Sequence, residues 1–390
     1  MILLDKPYVS DFLIKTIIKN KIPVVKTSES VGLIPFGEQV FITENEAIQK
    51  LQTGNDMLYT NSENSIGWIE KNLFYSNLAK NIKLFKNKFA FRKLLQKYYP
   101  DYFFRAVTFE ELNNLNITSF PFPFIIKPVV GFFSMGVYKV NSLNDWPEVL
   151  KKLNEEVITS QKIYPDEVYN DTEFIIEQEI KGEEVAVDCY FNREGQPVVL
   201  NIMQHVFSTE DDVNDRLYFT SKKVIKEFLS PVNKFLGMLN QNAGLKSFPM
   251  HVELRMDEYG KVIPIEINSL RFGGWCSSPD LAWYAYGINV YEYFFKQSIP
   301  DWDSILKKTD EKAYCIIVLD NNSGIDSDNI EAFNYKKLVS GFKKVWELRK
   351  VDFHTFPFFG MLFLSSESEN SEEINSILKS DLKEFIILKK

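Results

Sequence analysis

Cysteine and histidine are scarce in this chain. Three cysteines, Cys189, Cys276 and Cys315, stand far apart and match no zinc spacing, which argues against both a disulfide framework and a metal cluster. The three histidines, His205, His251 and His354, are not paired at metal-ligand spacing. No apolar run approaches the ~20 residues of a membrane span. The N-terminus, Met1-Ile2-Leu3-Leu4-Asp5-Lys6-Pro7, lacks the charged-then-apolar pattern of a signal peptide, so a cytoplasmic location is expected. Long basic runs and internal repeats are also missing, and the formal net charge is −8. That balance argues against nucleic acid as the main partner, and no membrane partner is expected.

What is present is ample core material. Hydrophobic residues make up 45 % of 390 and aromatics 15 %, enough for two or three packed subdomains. Residues 1–85 have the pattern of a small α/β unit. A strand at Ile2 to Leu4 is followed by a helix from Asp11 to Lys19 and a second strand at Ile22 to Val25. Further on, a helix is expected from Lys88 to Tyr98 and strands at 124–128, 174–178 and 185–191. The helix expected from Lys222 to Leu239 should break or kink at Pro231. Aromatic helices are expected at 280–298. The pattern restarts after about 310, with strands at 313–319 and 360–364 and a solvated polar loop from Ser365 to Glu373.

The most informative stretch runs from His251 to Asn268. Alternation assigns Val252, Leu254, Met256, Ile263, Ile265 and Ile267 to a core face. His251, Glu253, Arg255, Glu266 and Asn268 occupy the other. A turn centred on Tyr259-Gly260 sets Glu253 across from Glu266, and like charges so placed are destabilising unless a cation lies between them. Two carboxylates and an amide oxygen suit a hard divalent ion. The same pattern also fits a hairpin with one solvated polar face.

Three other features are individually weak. Lys127 ends an apolar strand beside a loop with Gly131, Ser134 and Gly136, a place for a point charge and backbone amides near phosphate, or an ordinary turn. Glu177, Gln178, Glu179 and Ile180 form an extended segment able to meet an adenine edge through its backbone. Glu184 follows as a candidate for ribose hydroxyls. A charged surface bend explains both equally. Arg216 is expected in a surface salt bridge or, alternatively, on a substrate carboxylate.

Taken in order, these pieces resemble the ATP-grasp superfamily, and in particular the grasp domain of D-alanine–D-alanine ligase and related carboxylate–amine ligases. The resemblance runs from Lys88 and Arg92 through Ile126-Lys127-Pro128 and the Glu177 to Asp188 hinge to Glu253 and Glu266-Ile267-Asn268. It implies an α/β and α+β molecule with an ATP-grasp fold. A pre-ATP-grasp α/β domain would span 1–85. The ATP-grasp domain would span 86–300, with its lid at about 120–190 and its metal site at about 190–300, and a C-terminal α+β extension would span 310–390.

By the same resemblance, Lys88 and Lys127 contact ATP phosphates, and Gly131, Ser134 and Gly136 form the lid. Glu177 to Ile180 hold adenine, Glu184 the ribose, and Glu253, Glu266 and Asn268 the Mg²⁺, with Mn²⁺ as a substitute. Arg271 is the candidate for steadying the reacting carboxylate and Arg255 for assisting at the phosphates. The lid carries Phe132-Phe133 where relatives have small residues, and Arg271 stands one residue later than the usual arginine. The implied activity is ADP-forming ligation of a small carboxylate to an amine, with a homodimer as a family-level expectation. The alternatives are an ATP-grasp phosphotransferase and a retired nucleotide-binding protein.

Overall fold

The computed structural model describes residues 1–34, 40–54, 56–131, 136–160, 170–209 and 214–389. Its N-terminal unit is a four-stranded parallel sheet of β1 (Ile2–Leu3), β2 (Val24–Val25), β3 (Phe41–Ile42) and β4 (Tyr59–Thr60), in the order β3-β2-β1-β4. The strands are only two residues long, and the helices between them carry the organisation. The Asp11–Asn20 helix starts at Ser10, whose side chain accepts from the Leu13 amide, and buries Leu13 and Ile17 against the sheet layer. Thr43 and Glu46 close a capping box at the head of the Glu44–Gln52 helix.

A second, antiparallel sheet has the order β5-β8-β6-β7, from β5 (Phe104–Thr108), β6 (Phe124–Val130), β7 (Tyr138–Val140) and β8 (Asn170–Gln178). Phe124, Ile126, Phe174 and Ile176 form its core with Trp146, Val149 and Leu153 of the Trp146–Ser160 helix.

The remaining strands are β9 (Glu183–Phe191), β10 (Pro197–Val206), β11 (Leu217–Thr220), β12 (Phe248–Met256), β13 (Val262–Ser269), β14 (Ala313–Asp320), β15 (Ile330–Phe333), β16 (Val345–Lys350), β17 (Phe358–Ser366) and β18 (Ile386–Leu388). Eight of them make the central sheet, in the order β13-β12-β9-β10-β11-β14-β17-β16. The C-terminal strands therefore extend the central sheet through β11 and β14. The Lys222–Ala243 helix packs along β10, burying Val224, Ile225, Phe228, Val232, Phe235, Leu236 and Leu239. Of the break or kink expected at Pro231, the break is absent: the helix continues through it, held by that apolar stripe.

Two other expectations are corrected. Ser365 and Ser366 are buried at the end of β17, and Ser371 caps the Glu372–Lys379 helix, so both ends of the polar run belong to elements, while residues 367–371 form a loop open to solvent. Arg216 is buried too. Its Nε lies 2.6 Å from Asp320 Oδ1, and its Nη1 donates to the carbonyls of Ile377 and Ser380, fastening the C-terminal helix to β11. Cys189, Cys276 and Cys315 are free and buried. Among the described residues no helix is long and apolar enough to cross a membrane.

β8 and β9, in different sheets, are joined by a bend at Gly182. Its φ is +119°, and a Cβ there would meet the Met256 carbonyl oxygen at 2.2 Å. Both conformation and space demand glycine. Gly182→Ala should destabilise the protein by more than about 1 kcal/mol in urea unfolding; an unchanged midpoint would contradict this packing.

Candidate active site

The β12–β13 hairpin pairs Glu253 with Glu266 and His251 with Asn268. Each pair shares a face, so the two carboxylates stand side by side with Asn268 one rung along. The register shifts after Glu253, where Leu254 pairs with Pro264 and Ile265 is the extra residue. This bulge corrects the alternation: Pro264 is buried opposite Leu254, while Ile263 pairs with Arg255 and, like Ile265, is only half-buried. Asn268 Nδ2 donates to Glu266 Oε1 at 3.3 Å, so its oxygen is the atom left to coordinate. Burial, then Glu266, Glu184 and Asp215, push the Glu253 carboxyl well above its ordinary range.

Cations approach from the neighbouring elements. Lys88 opens the Lys88–Leu95 helix, capped by Asn87. Its Nζ donates to the Gly131 carbonyl at 3.3 Å and lies 3.7 Å from Glu266 Oε2. Lys127, on β6, is buried with its Nζ 2.6 Å from Glu177 Oε1. Burial pushes its ammonium below the usual lysine range against the pull of Glu177. Arg92 completes this triad, with Nε 2.5 Å from Glu177 Oε2 and Nη1 donating to the Pro264 carbonyl at the bulge. Burial opposes ionisation of Glu177, but Arg92 and Lys127 hold its carboxyl far below the ordinary value.

The hinge is used differently from the sequence expectation. The Glu177 carboxylate turns inward, Gln178 Oε1 accepts from the Phe103 amide, and Glu179 pairs with Lys139 at 2.9 Å. Much of its backbone is engaged as well: the Gln178 and Glu179 amides donate to the Phe103 and Pro123 carbonyls, and the Gln178 carbonyl accepts from the Tyr102 hydroxyl. Glu184 is bracketed by His205 Nδ1 and Arg255 Nε, each at 2.9 Å. Arg255 Nη1 also donates to the Ile180 carbonyl at 2.6 Å, so Arg255 braces the hinge. Gly136 takes a left-handed φ of +68°; Ser134 and the Phe132-Phe133 pair lie outside the described residues.

Arg271 follows Leu270, whose φ is +59°, and reaches the N-terminal unit. Its Nη2 lies 2.6 Å from Glu63 Oε1, and Lys86 stands 3.5 Å from Glu63 Oε2. Burial would raise the Glu63 carboxyl, yet Arg271 and Lys86 hold it at about 2. Glu63, Lys86, Lys88, Gly131, Glu266 and Asn268 line an open pocket of about 360 Å³. Glu63 and Lys86 were not identified from sequence, and neither was the role of Arg92. Glu63 and Arg271 are 208 positions apart, and the only local signal at Glu63 was a polar run after a strand.

Residues 120–279 match the family model of the ATP-grasp domain. The chain carries an ATP-grasp domain. A search by sequence against curated proteins finds no match. By structure, the chain is similar to the L-amino acid ligase from Bacillus licheniformis, with TM-score 0.68 and 17 % identity over 100 % of this chain and 98 % of that one. It is also similar to the biotin carboxylase from Campylobacter jejuni, at TM-score 0.61 and 12 % identity over 100 % and 92 %. A third similar structure is the carboxyaminoimidazole ribonucleotide synthase from Aspergillus clavatus complexed with ATP, at TM-score 0.62 and 13 % identity over 98 % of each chain. The likeness in fold to these three proteins extends beyond the matched domain to nearly the whole chain.

The depressed Glu63 carboxyl sets a pH dependence. A folded-state value of about 2 against an ordinary 4.5 means that its stabilisation is present above pH 4.5 and lost as pH falls towards 2. Glu63→Gln should therefore be less stable than wild type at pH 6 in urea unfolding. The gap should shrink towards pH 3, and a pH-independent gap would contradict the Arg271–Glu63–Lys86 contact.

Proposed function

We propose that this protein is an ADP-forming ATP-grasp ligase that converts a small carboxylate into an acyl phosphate and joins it to an amine. The observation that carries the reading is the face-to-face pair Glu253–Glu266 beside Asn268, with the charges of Lys88 and Arg271 acting on it. Similarity in fold to an L-amino acid ligase supports it.

The residues fit Mg²⁺. Two adjacent carboxylates, one pushed towards protonation by the other and by burial, form a site whose repulsion a divalent cation offsets. Among the described residues no three His, Cys, Asp or Glu side chains converge as a ready-made metal site. The donor set is therefore two carboxylates and an amide, with ATP phosphates and water to complete the shell. When bound, the cation neutralises phosphate charge and orients the γ-phosphoryl group.

The chain's own residues supply the rest. Lys88 projects beside Glu266 towards the phosphate side of the pocket. Lys127, held by Glu177, offers a positive charge at the mouth of the lid. Arg271, fixed by Glu63, presents a guanidinium to the oxygens of the reacting carboxylate and of the tetrahedral intermediate. The hinge backbone from Glu177 to Ile180 meets adenine, and Glu184 meets the ribose, with Arg255 bracing both. The reading includes a cytoplasmic location, in keeping with three free thiols, and a homodimer.

Incubation with Mg-ATP and pooled amino acids, other small carboxylates and amines, followed by chromatography, tests the reaction. ADP and phosphate should accumulate only when both a carboxylate and an amine are present; AMP would contradict an acyl phosphate. Glu266→Gln should lower ADP formation by at least about 100-fold with an unfolding midpoint no lower than wild type in the absence of metal. Full activity in that variant would overturn the metal assignment.

A further inference from the structure

Asp188, on β9, is fully buried and accepts from three directions. Its Oδ1 takes His251 Nδ1 at 2.7 Å and the Gly273 amide at 2.9 Å, and its Oδ2 takes the Ser278 hydroxyl. These partners lie 63, 85 and 90 positions away, so no local pattern links them to Asp188.

The register explains the convergence. His251 is the cross-strand neighbour of Asp188 on one side and of Asn268 on the other. An acceptor-only carboxylate on Nδ1 fixes the ring's orientation and places a proton on that nitrogen. The other nitrogen, Nε2, then faces Glu253 Oε1 at 4.0 Å. That separation exceeds a hydrogen bond, and with its proton on Nδ1 the ring has no donor at Nε2 for a carboxylate, so it acts on Glu253 as a fixed wall and not as a hydrogen-bond partner. The ring edge thus bounds the space in which Glu253 turns.

The loop after Arg271 is fastened to the same carboxylate. Gly273 has an ordinary φ of −53°, so its need for glycine is one of space. A Cβ there would lie 2.1 Å from Ser278 Oγ and 3.4 Å from His251 Cε1. Beyond it, Trp275 and Cys276 both adopt left-handed backbone, at φ +56°, a strained pair that persists only where its surroundings hold it. One buried carboxylate therefore ties the rung bearing the cation ligands to the loop that carries Arg271.

We propose that His251, locked by Asp188, is a positioning residue that sets the Glu253 carboxylate for the divalent cation, and that Asp188 couples this setting to the Arg271 loop. The inference rests on the reading of Glu253, Glu266 and Asn268 as cation ligands. Outer contacts of this kind orient ligands without touching the ion, and losing one typically weakens metal binding about 10–100-fold.

The test is Mn²⁺ binding, followed by electron paramagnetic resonance, to protein saturated with the β,γ-imido analogue of ATP. Wild type, His251→Ala, His251→Gln and Glu253→Gln are compared, with metal-free nucleotide affinity and thermal unfolding measured alongside. His251→Ala should bind Mn²⁺ about 10–100-fold more weakly while nucleotide affinity stays within about 2-fold, a selective loss that general loosening of the fold does not give. His251→Gln keeps part of the wall near Glu253 and should recover part of the affinity. Should His251→Ala fail to fold, His251→Gln carries the test through a smaller loss in the same direction. Wild-type Mn²⁺ affinity in the histidine variants, with Glu253→Gln impaired, would overturn this inference alone. Wild-type affinity in Glu253→Gln as well would overturn the cation reading and this inference with it.

Discussion

Two carboxylates held face to face on adjacent strands are the constraint around which this molecule is arranged. Glu253 and Glu266 occupy one rung of an antiparallel pair, where like charges repel and where burial strengthens the repulsion. A fold keeps such a rung only if the backbone around it is over-determined. Here the bulge at Ile265 is clamped by Arg92, which donates to the carbonyls of Pro264 and Ile265. The opposite strand is fixed through His251 to the buried Asp188.

The same logic governs the cations. Nearly every charge lining the cleft has a protein partner: Lys127 and Arg92 share Glu177, Arg255 and His205 share Glu184, and Arg271 and Lys86 share Glu63. Buried pairs of this kind add little net stability, because desolvation offsets much of their attraction. Their effect is to hold each head group at a defined place before any ligand arrives, which is the form of electrostatic assistance that phosphoryl transfer uses. In an acidic protein of net charge −8, the pocket at this site is lined by lysines and carboxylates in equal number, Lys86 and Lys88 with Glu63 and Glu266.

The elements that were legible in the sequence share one property: their signal is local. Alternation from His251 to Asn268 placed Glu253 opposite Glu266 because strand period and turn position together define register. It misassigned Ile263, because an extra residue in one strand reverses parity without changing composition. Lys127 and Glu177 stood out as charges at strand ends, but their mutual burial did not, since the pairing of β6 with β8 joins segments about 50 residues apart. Strands after residue 310 looked like a fresh start because their sheet partner, β11, lies nearly a hundred residues earlier. Arg92 and Asp188 only marked positions in the resemblance, their partners unseen, and Glu63 was silent, all for the same reason. Each acts through a contact that no window of sequence contains.

The central claim is that Glu253, Glu266 and Asn268 hold one divalent cation against nucleotide phosphates. Its most direct test is a crystal structure grown with Mn²⁺ and the β,γ-imido analogue of ATP, read through the manganese anomalous signal. The account predicts a peak bonded to both carboxylates and the Asn268 amide oxygen, with phosphate oxygens completing the shell. A peak elsewhere, or nucleotide bound with Glu253 and Glu266 turned to solvent, would contradict it.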